Sequence, residues 1–209
     1  MVDRLDLDDL IVQRFNIRDD GSLPLKSNGR TRKFLAQFMG EIGYTIGAEI
    51  GVMKGKYSKD LCTFNPNLRL KCVDPWLSFR NSTEDSYLSF RRTTQKKMDV
   101  YYRWACERLK NYNVEIIRKT SMEAVRDIAD ESLDFVYIDA NHQFDYVMLD
   151  LICWSKKVRI GGMISGHDYS PIVRYIEVTP AVDIYTKMHS ISKWYITDEP
   201  EPSFFWVKR

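Results

Sequence analysis

Thr45-Ile-Gly-Ala-Glu-Ile-Gly-Val-Met-Lys-Gly55 is the stretch that decides the fold. It is a short apolar run with one acid inside it, closed by two glycines four residues apart. A run of this length bounded by turn signals reads as a buried strand. The glycines mark a tight strand-to-helix turn, where a ligand can approach backbone N–H groups at a helix start. Residues 55–64 then read as a helix and 68–73 as a second strand, ending at Asp74-Pro75.

Downstream the alternation continues. A long polar helix is expected over about 84–111, carrying Arg91, Arg92, Lys96 and Lys97. Residues 114–117 read as a strand, and Thr120-Ser-Met-Glu123 reads as a capping box opening a helix through Ile128. Residues 133–138 form a nearly continuous apolar strand. Phe144, Val147, Met148, Leu151 and Ile152 mark a helix, and 161–165 the next strand. Thr179-Pro180 fits the N-cap and first position of a further helix through Met188. Lys193 to Thr197 and Ser203 to Lys208 read as an antiparallel hairpin at a sheet edge.

Strands alternating with helices imply a parallel sheet with right-handed crossovers, and fully apolar strands imply that both faces are covered. The expected fold is therefore α/β: a doubly wound, Rossmann-like, mostly parallel seven-stranded sheet with an antiparallel C-terminal strand. Residues 1–44 form a helical extension, a lid or a dimer arm, and 45–209 the domain proper. Within the extension, helices are expected around Leu10, Ile11 and Phe15 and over 31–42.

Composition narrows the function classes. Lys plus Arg is 31 against 29 for Asp plus Glu in 209 residues, a net charge of +2 too balanced to make nucleic acid the default partner. The apolar runs are far shorter than the ~20 residues a membrane span needs, and the charged start does not resemble a signal peptide. Cys62, Cys72, Cys106 and Cys153 show no Cys-x-x-Cys spacing, which fits reduced thiols and a cytoplasmic setting.

In an open parallel sheet, ligands bind outside the carboxyl ends of the strands. Here each inferred parallel strand ends in a group able to bind something: Glu49 and Gly51, Asp74, Ser121, Asp139, and His167 with Asp168. The glycine spacing lacks the middle member of a dinucleotide fingerprint, which disfavours a nicotinamide. Asp74, about 20 residues beyond Gly55, sits where an acid can bond both ribose hydroxyls. Together these features suggest a nucleoside with no pyrophosphate to cradle.

The densest motif is Asp139-Ala-Asn-His142 followed by Gly166-His167-Asp168. Two of the chain's three histidines lie here, beside strand-end aspartates. Carboxylates brought together repel unless a cation or proton lies between them. Hard oxygen ligands suit Mg²⁺ or another divalent ion, with His167 as a third ligand for a softer one. His142 has the intrinsic pKa of a base that takes a hydroxyl proton near neutrality. The aromatic residues Trp76, Phe79, Tyr87, Tyr101, Tyr102 and Trp104 flank the second strand's exit, where helix packing competes with a substrate wall.

These motifs, in their order and spacing over 45–209, resemble class I S-adenosylmethionine-dependent methyltransferases. In particular they resemble the small-molecule O-methyltransferases of the catechol and macrolide-sugar type. The resemblance rests on Ala48 to Ser58, Cys72 to Trp76, Lys119 to Ser121, Asp134 to His142 and Gly161 to Asp168. It implies that Glu49, Gly51, Gly55 and Ser58 hold the methionine end of the cofactor and Asp74 the ribose. Ser121 and Met122 would border the adenine, with Asp139 also on the cofactor side. It further implies Asp139 and Asp168 as metal ligands and His142 as catalytic base. Where relatives carry an acid just before the second aspartate or an asparagine just after it, this chain has His167 and Tyr169. The implied activity is O-methylation of a small-molecule hydroxyl, in a chain that acts alone or as a homodimer. The rival readings are a metal-independent N- or O-methyltransferase and a non-catalytic Rossmann-like binding protein.

Overall fold

In the computed structural model, residues 6–78, 93–170 and 177–209 are described. Along the chain run α1 (Leu7–Arg14), β1 (Leu25–Lys26), α2 (Arg32–Glu41), β2 (Ile46–Ile50), α3 (Lys56–Phe64), β3 (Arg69–Val73), α4 (Gln95–Leu109) and β4 (Val114–Ile117). There follow α5 (Ser121–Ala124), β5 (Leu133–Ile138), α6 (Phe144–Ser155), β6 (Val158–Gly166), α7 (Val178–Met188), β7 (Tyr195–Ile196) and β8 (Phe204–Val207). No described helix is long and apolar enough to cross a membrane.

The strands form one sheet in the order β1-β7-β8-β6-β5-β2-β3-β4. β2 pairs in parallel with both β3 and β5, and the chain winds away from it in opposite directions. This reversal opens a crevice at the carboxyl ends of β2 and β5. β8 is antiparallel to both β6 and β7, as expected of a C-terminal hairpin. The hairpin is not the edge, however. β1, from the N-terminal extension, pairs in parallel with β7 and makes the sheet eight-stranded rather than seven-stranded. A two-residue strand is too short to announce itself by alternation.

Apolar residues line both faces of the sheet. One core gathers Ile11, Phe15, Leu35 and Phe38 of the extension with Leu61, Leu70, Leu109, Phe135 and Phe205. The other gathers Val136, Ile138, Leu151, Trp154, Ile164, Val182 and Trp206 beneath α5, α6 and α7. Phe15 is fully buried, with its ring 4.9–5.2 Å from those of Phe34, Phe38 and Phe205. Burying one such side chain stabilises by about 1.5–3 kcal/mol.

Local differences from the sequence reading have local causes. The capping box at Thr120 and Glu123 forms, but only 121–124 are α-helical, and Val125–Asp127 tighten into a 3₁₀ turn. The N-cap of α7 is Glu177, so Thr179 and Pro180 lie inside the first turn. Proline is tolerated there because the first N–H groups of a helix have no partner within it. α4 starts at Gln95, capped by the Thr94 side chain. The expected start near 84, together with Arg91, Arg92, Phe79 and Tyr87, lies outside the described residues. Of the remaining aromatics, Trp76 and Tyr101 are buried, whereas Trp104 is half exposed.

Candidate active site

The sheet ladder runs up to the crevice and holds its rim. Gly51 N donates to Val73 O (2.8 Å), Asp139 N to Ile50 O (2.7 Å) and His167 N to Ile138 O (2.9 Å). The two glycines of the opening motif are required here for different reasons. Gly51 has φ +96°, and a Cβ on it would lie 1.9 Å from the Asp139 carbonyl oxygen. Gly55, at φ +67°, turns the chain into α3 as its N-cap, with Leu109 and Ala105 of α4 packed against it. Both φ values fall where a side chain is costly.

Asp74 does not hang free at the end of β3. Its Oδ2 accepts from Met53 N (2.8 Å) and its Oδ1 from Trp76 N (2.7 Å), while Trp76 Nε1 donates to Met53 O (2.7 Å). The carboxylate thereby ties the glycine turn to the second strand. Glu49, 2% exposed, accepts a short hydrogen bond from Ser58 Oγ. Burial lifts its pKa to about 8. The Ser58 bond opposes that rise, and the charge of Asp139 adds to it. A buried acid of this kind is poised to ionise when a cationic group arrives.

The second cluster lies at the ends of β5 and β6. His142 Nε2 is 3.0 Å from Asp168 Oδ2 and 3.6 Å from Asp139 Oδ1. His167 Nδ1 is 3.1 Å from Asp168 Oδ1 and 3.9 Å from Asp139 Oδ2. Burial works against charge on His142, but the two carboxylates outweigh it and raise its pKa to about 9. Burial likewise pushes Asp168 up, and its bonds to His142 and His167 hold it well below the usual carboxylate range instead. Asp168 also has φ +61°, a left-handed conformation that aspartate tolerates better than most side chains.

Among the described residues, neither aspartate side chain caps a helix. The N-terminus of α6 is satisfied by Glu177, whose Oε2 accepts from Phe144 N (2.8 Å), while Asn141 Oδ1 accepts from Gln143 N (3.0 Å). Asp139 and Asp168 lie instead against the imidazoles of His142 and His167.

Oxygen and imidazole donors of Asp139, His142 and Asp168 all lie within 4.8 Å of one another. Around one divalent ion with ligands at about 2.1 Å, donors sit roughly 3–4.2 Å apart, so the set fits such an ion with little adjustment. His142, rather than His167, completes this tight group, although His167 borders both carboxylates.

The remaining candidates lie apart. Ser121 Oγ donates to Asp150 Oδ1 in a short hydrogen bond and accepts from Trp154 Nε1 (2.8 Å), so its hydroxyl faces α6. Met122 packs on the same core. Arg32 carried no signal in the sequence. It opens α2, and its Nη1 lies 3.8 Å from Asp139 Oδ2. Arg32 and Asp139 are more than a hundred positions apart, so no local pattern could have paired them.

A family model described as a methyltransferase domain matches residues 48–169, a span that holds both site clusters. This chain belongs to that methyltransferase family. It is a methyltransferase of the class I type, the class that takes S-adenosylmethionine as methyl donor.

No curated protein matches the chain. Solved structures similar to the methyltransferase share its fold at low identity. An O-methyltransferase from Bacillus cereus, crystallised with SAH, is 15% identical over 100% of this chain and 93% of its own, with a TM-score of 0.60. TomG, an O-methyltransferase of tomaymycin synthesis from Streptomyces achromogenes in complex with SAM, is 14% identical over 85% and 79%, with a TM-score of 0.58. An rRNA methylase from Streptococcus thermophilus is 11% identical over 84% and 94%, with a TM-score of 0.56.

Proposed function

We propose that the protein transfers the methyl group of S-adenosylmethionine to a hydroxyl of a small molecule, with help from a divalent ion such as Mg²⁺. The observation that carries this reading is the meeting of Asp139, His142 and Asp168 at the mouth of the crevice. O-methyltransferases among the structural neighbours support it. A cytoplasmic setting suits its four free thiols.

Glu49, Gly51, Gly55 and Ser58 would receive the methionine end of the cofactor, and Asp74 the ribose. Ser121 and Met122 would border the adenine. The carboxylate that ties the glycine turn to the second strand would thus also read the sugar.

Transfer is direct. The sulfonium carries an activated methyl, so the protein must align the acceptor oxygen with it and take up one proton. Alignment contributes several kcal/mol, up to about 7–11 in well-oriented systems. A divalent ion held by Asp139 and Asp168, with His167 as a third ligand, would supply a Lewis acid that lowers the acceptor's pKa and leave His142 for proton transfer. A His142 held protonated between two carboxylates could not accept a proton. With those carboxylates committed to an ion, the imidazolium would give its proton to solvent and His142 would serve as the neutral base for the acceptor hydroxyl, assistance that is typically worth about 10²–10⁴-fold.

One observation favours a second reading, a metal-independent transferase. A protonated His142 between Asp139 and Asp168 would offset one of the pair's two negative charges without an ion. The two are separated by calorimetric titration with S-adenosylhomocysteine, run with Mg²⁺ and again with a chelator, followed by transfer assays on a panel of hydroxyl acceptors. Binding in both buffers with transfer only in Mg²⁺ supports the first reading. Transfer that survives exhaustive chelation supports the second. No binding in either buffer ends both.

A further inference from the structure

We infer that Arg32, supplied by the N-terminal extension, is a cofactor-binding residue whose guanidinium takes the α-carboxylate of the methionyl group, opposite Glu49, which takes the ammonium. The inference rests on the methyltransferase reading above.

Arg32 is held in place from three directions. Its backbone N–H donates to Glu199 Oε1 of the C-terminal hairpin (2.7 Å), and its carbonyl accepts from the Tyr57 hydroxyl of α3 (3.1 Å). Its guanidinium lies over the Tyr57 ring, 5.4 Å from the centroid. The backbone bonds fix where the side chain starts, and the ring contact restrains the guanidinium, which limits the freedom that makes surface arginines weak binders.

The side chain points to the end of the sheet where Glu49 and Tyr137 are register partners on β2 and β5. Its charge is felt at Glu49, where it opposes the rise caused by burial. Its approach to Asp139 stops at 3.8 Å, beyond hydrogen-bond reach. Among the described residues its guanidinium hydrogen-bonds no carboxylate, which leaves most of its five donors uncommitted. The side chain is about a third exposed, at 36%, so a ligand can reach it.

A buried acid and a restrained guanidinium beside the same glycine turn match the two charges of an α-amino acid. A planar fork also suits a carboxylate in two-point contact. The segment outside the matched family region would then complete the cofactor site.

The test uses Arg32→Ala and Arg32→Lys, titrated with S-adenosylhomocysteine and with the same molecule lacking its carboxylate. Arg32→Ala is expected to weaken S-adenosylhomocysteine by about 10- to 100-fold, the range for a charged hydrogen-bonded contact. The decarboxylated ligand should bind this variant as it binds wild type, and Arg32→Lys should restore part of the loss. Equal weakening of both ligands, or no weakening of either, overturns the assignment. Wild-type protein that binds neither ligand overturns it together with the reading beneath it, a result distinct from the other two.

Discussion

The Cα of Gly51 faces the carbonyl oxygen of Asp139 so closely that a Cβ would sit 1.9 Å from it. The end of β2 is thus packed directly on the start of the loop that carries the aspartate and His142. No flexible side chain can yield there, because the obstacle is backbone. Gly51→Ala combines this collision with a strained φ of +96°. It should cost several kcal/mol of stability and cut S-adenosylhomocysteine affinity at least tenfold (about 1.4 kcal/mol or more). A melting curve and a titration that both match wild type would show that the two loops do not depend on each other.

His142→Ala should lower turnover by about 10²–10⁴-fold while cofactor affinity stays close to wild type. The split is informative because His142 contacts Asp139 and Asp168, at the ends of β5 and β6, whereas Glu49 and Asp74 belong to β2 and the end of β3. An unchanged rate would remove His142 from the chemistry.

Asp168→Asn removes one hard donor and the carboxylate nearest both imidazoles. Electron paramagnetic titration with Mn²⁺, a spin-active substitute for Mg²⁺, should show binding to wild type and a loss of at least about tenfold in the variant, as expected for losing one ligand of a small set. Equal titrations would place the ion elsewhere or nowhere.

Stability should fall as pH rises from about 4 to about 7. Burial lifts the pKa of Asp150 from 3.8 to about 7, opposed by its bond from Ser121. The unfolded chain loses that proton near pH 4, whereas the folded chain keeps it until near 7. Between those values the folded state binds the extra proton, so raising the pH favours unfolding. The full effect is on the order of 4 kcal/mol at most. Asp150→Asn should flatten this part of a denaturation-versus-pH profile, and a profile as steep as that of wild type would assign the slope to other groups.

Phe15→Ala should destabilise the protein by about 3–5 kcal/mol, the usual cost of deleting a buried ring. The ring lies among Phe34, Phe38 and Phe205, so the loss joins the extension to the C-terminal strand. A change below about 1 kcal/mol in a urea denaturation would mean that the extension is a detachable arm.

Much of this protein is legible without coordinates, because its signals are local. Apolar runs at 46–50 and 133–138, each ending in glycine or acid, specify buried strands and therefore where their carboxyl ends lie. Once those ends are known, Glu49, Asp74, Asp139 and Asp168 follow as a rim, since each stands beside its own strand. The capping box at Thr120 is legible for the same reason: its parts are three residues apart. Tertiary structure decided what depends on distance across the chain and on side-chain direction. It chose His142 over His167 for the tight group with both aspartates, and used Glu177 to satisfy the start of α6. It turned Ser121 toward Asp150, added Leu25–Lys26 as an eighth strand and brought Arg32 to the crevice. Periodicity reports which face a residue occupies. It carries no information about which residue a hundred positions away will share that face, because such contacts form only when the sheet has closed and its cores have packed.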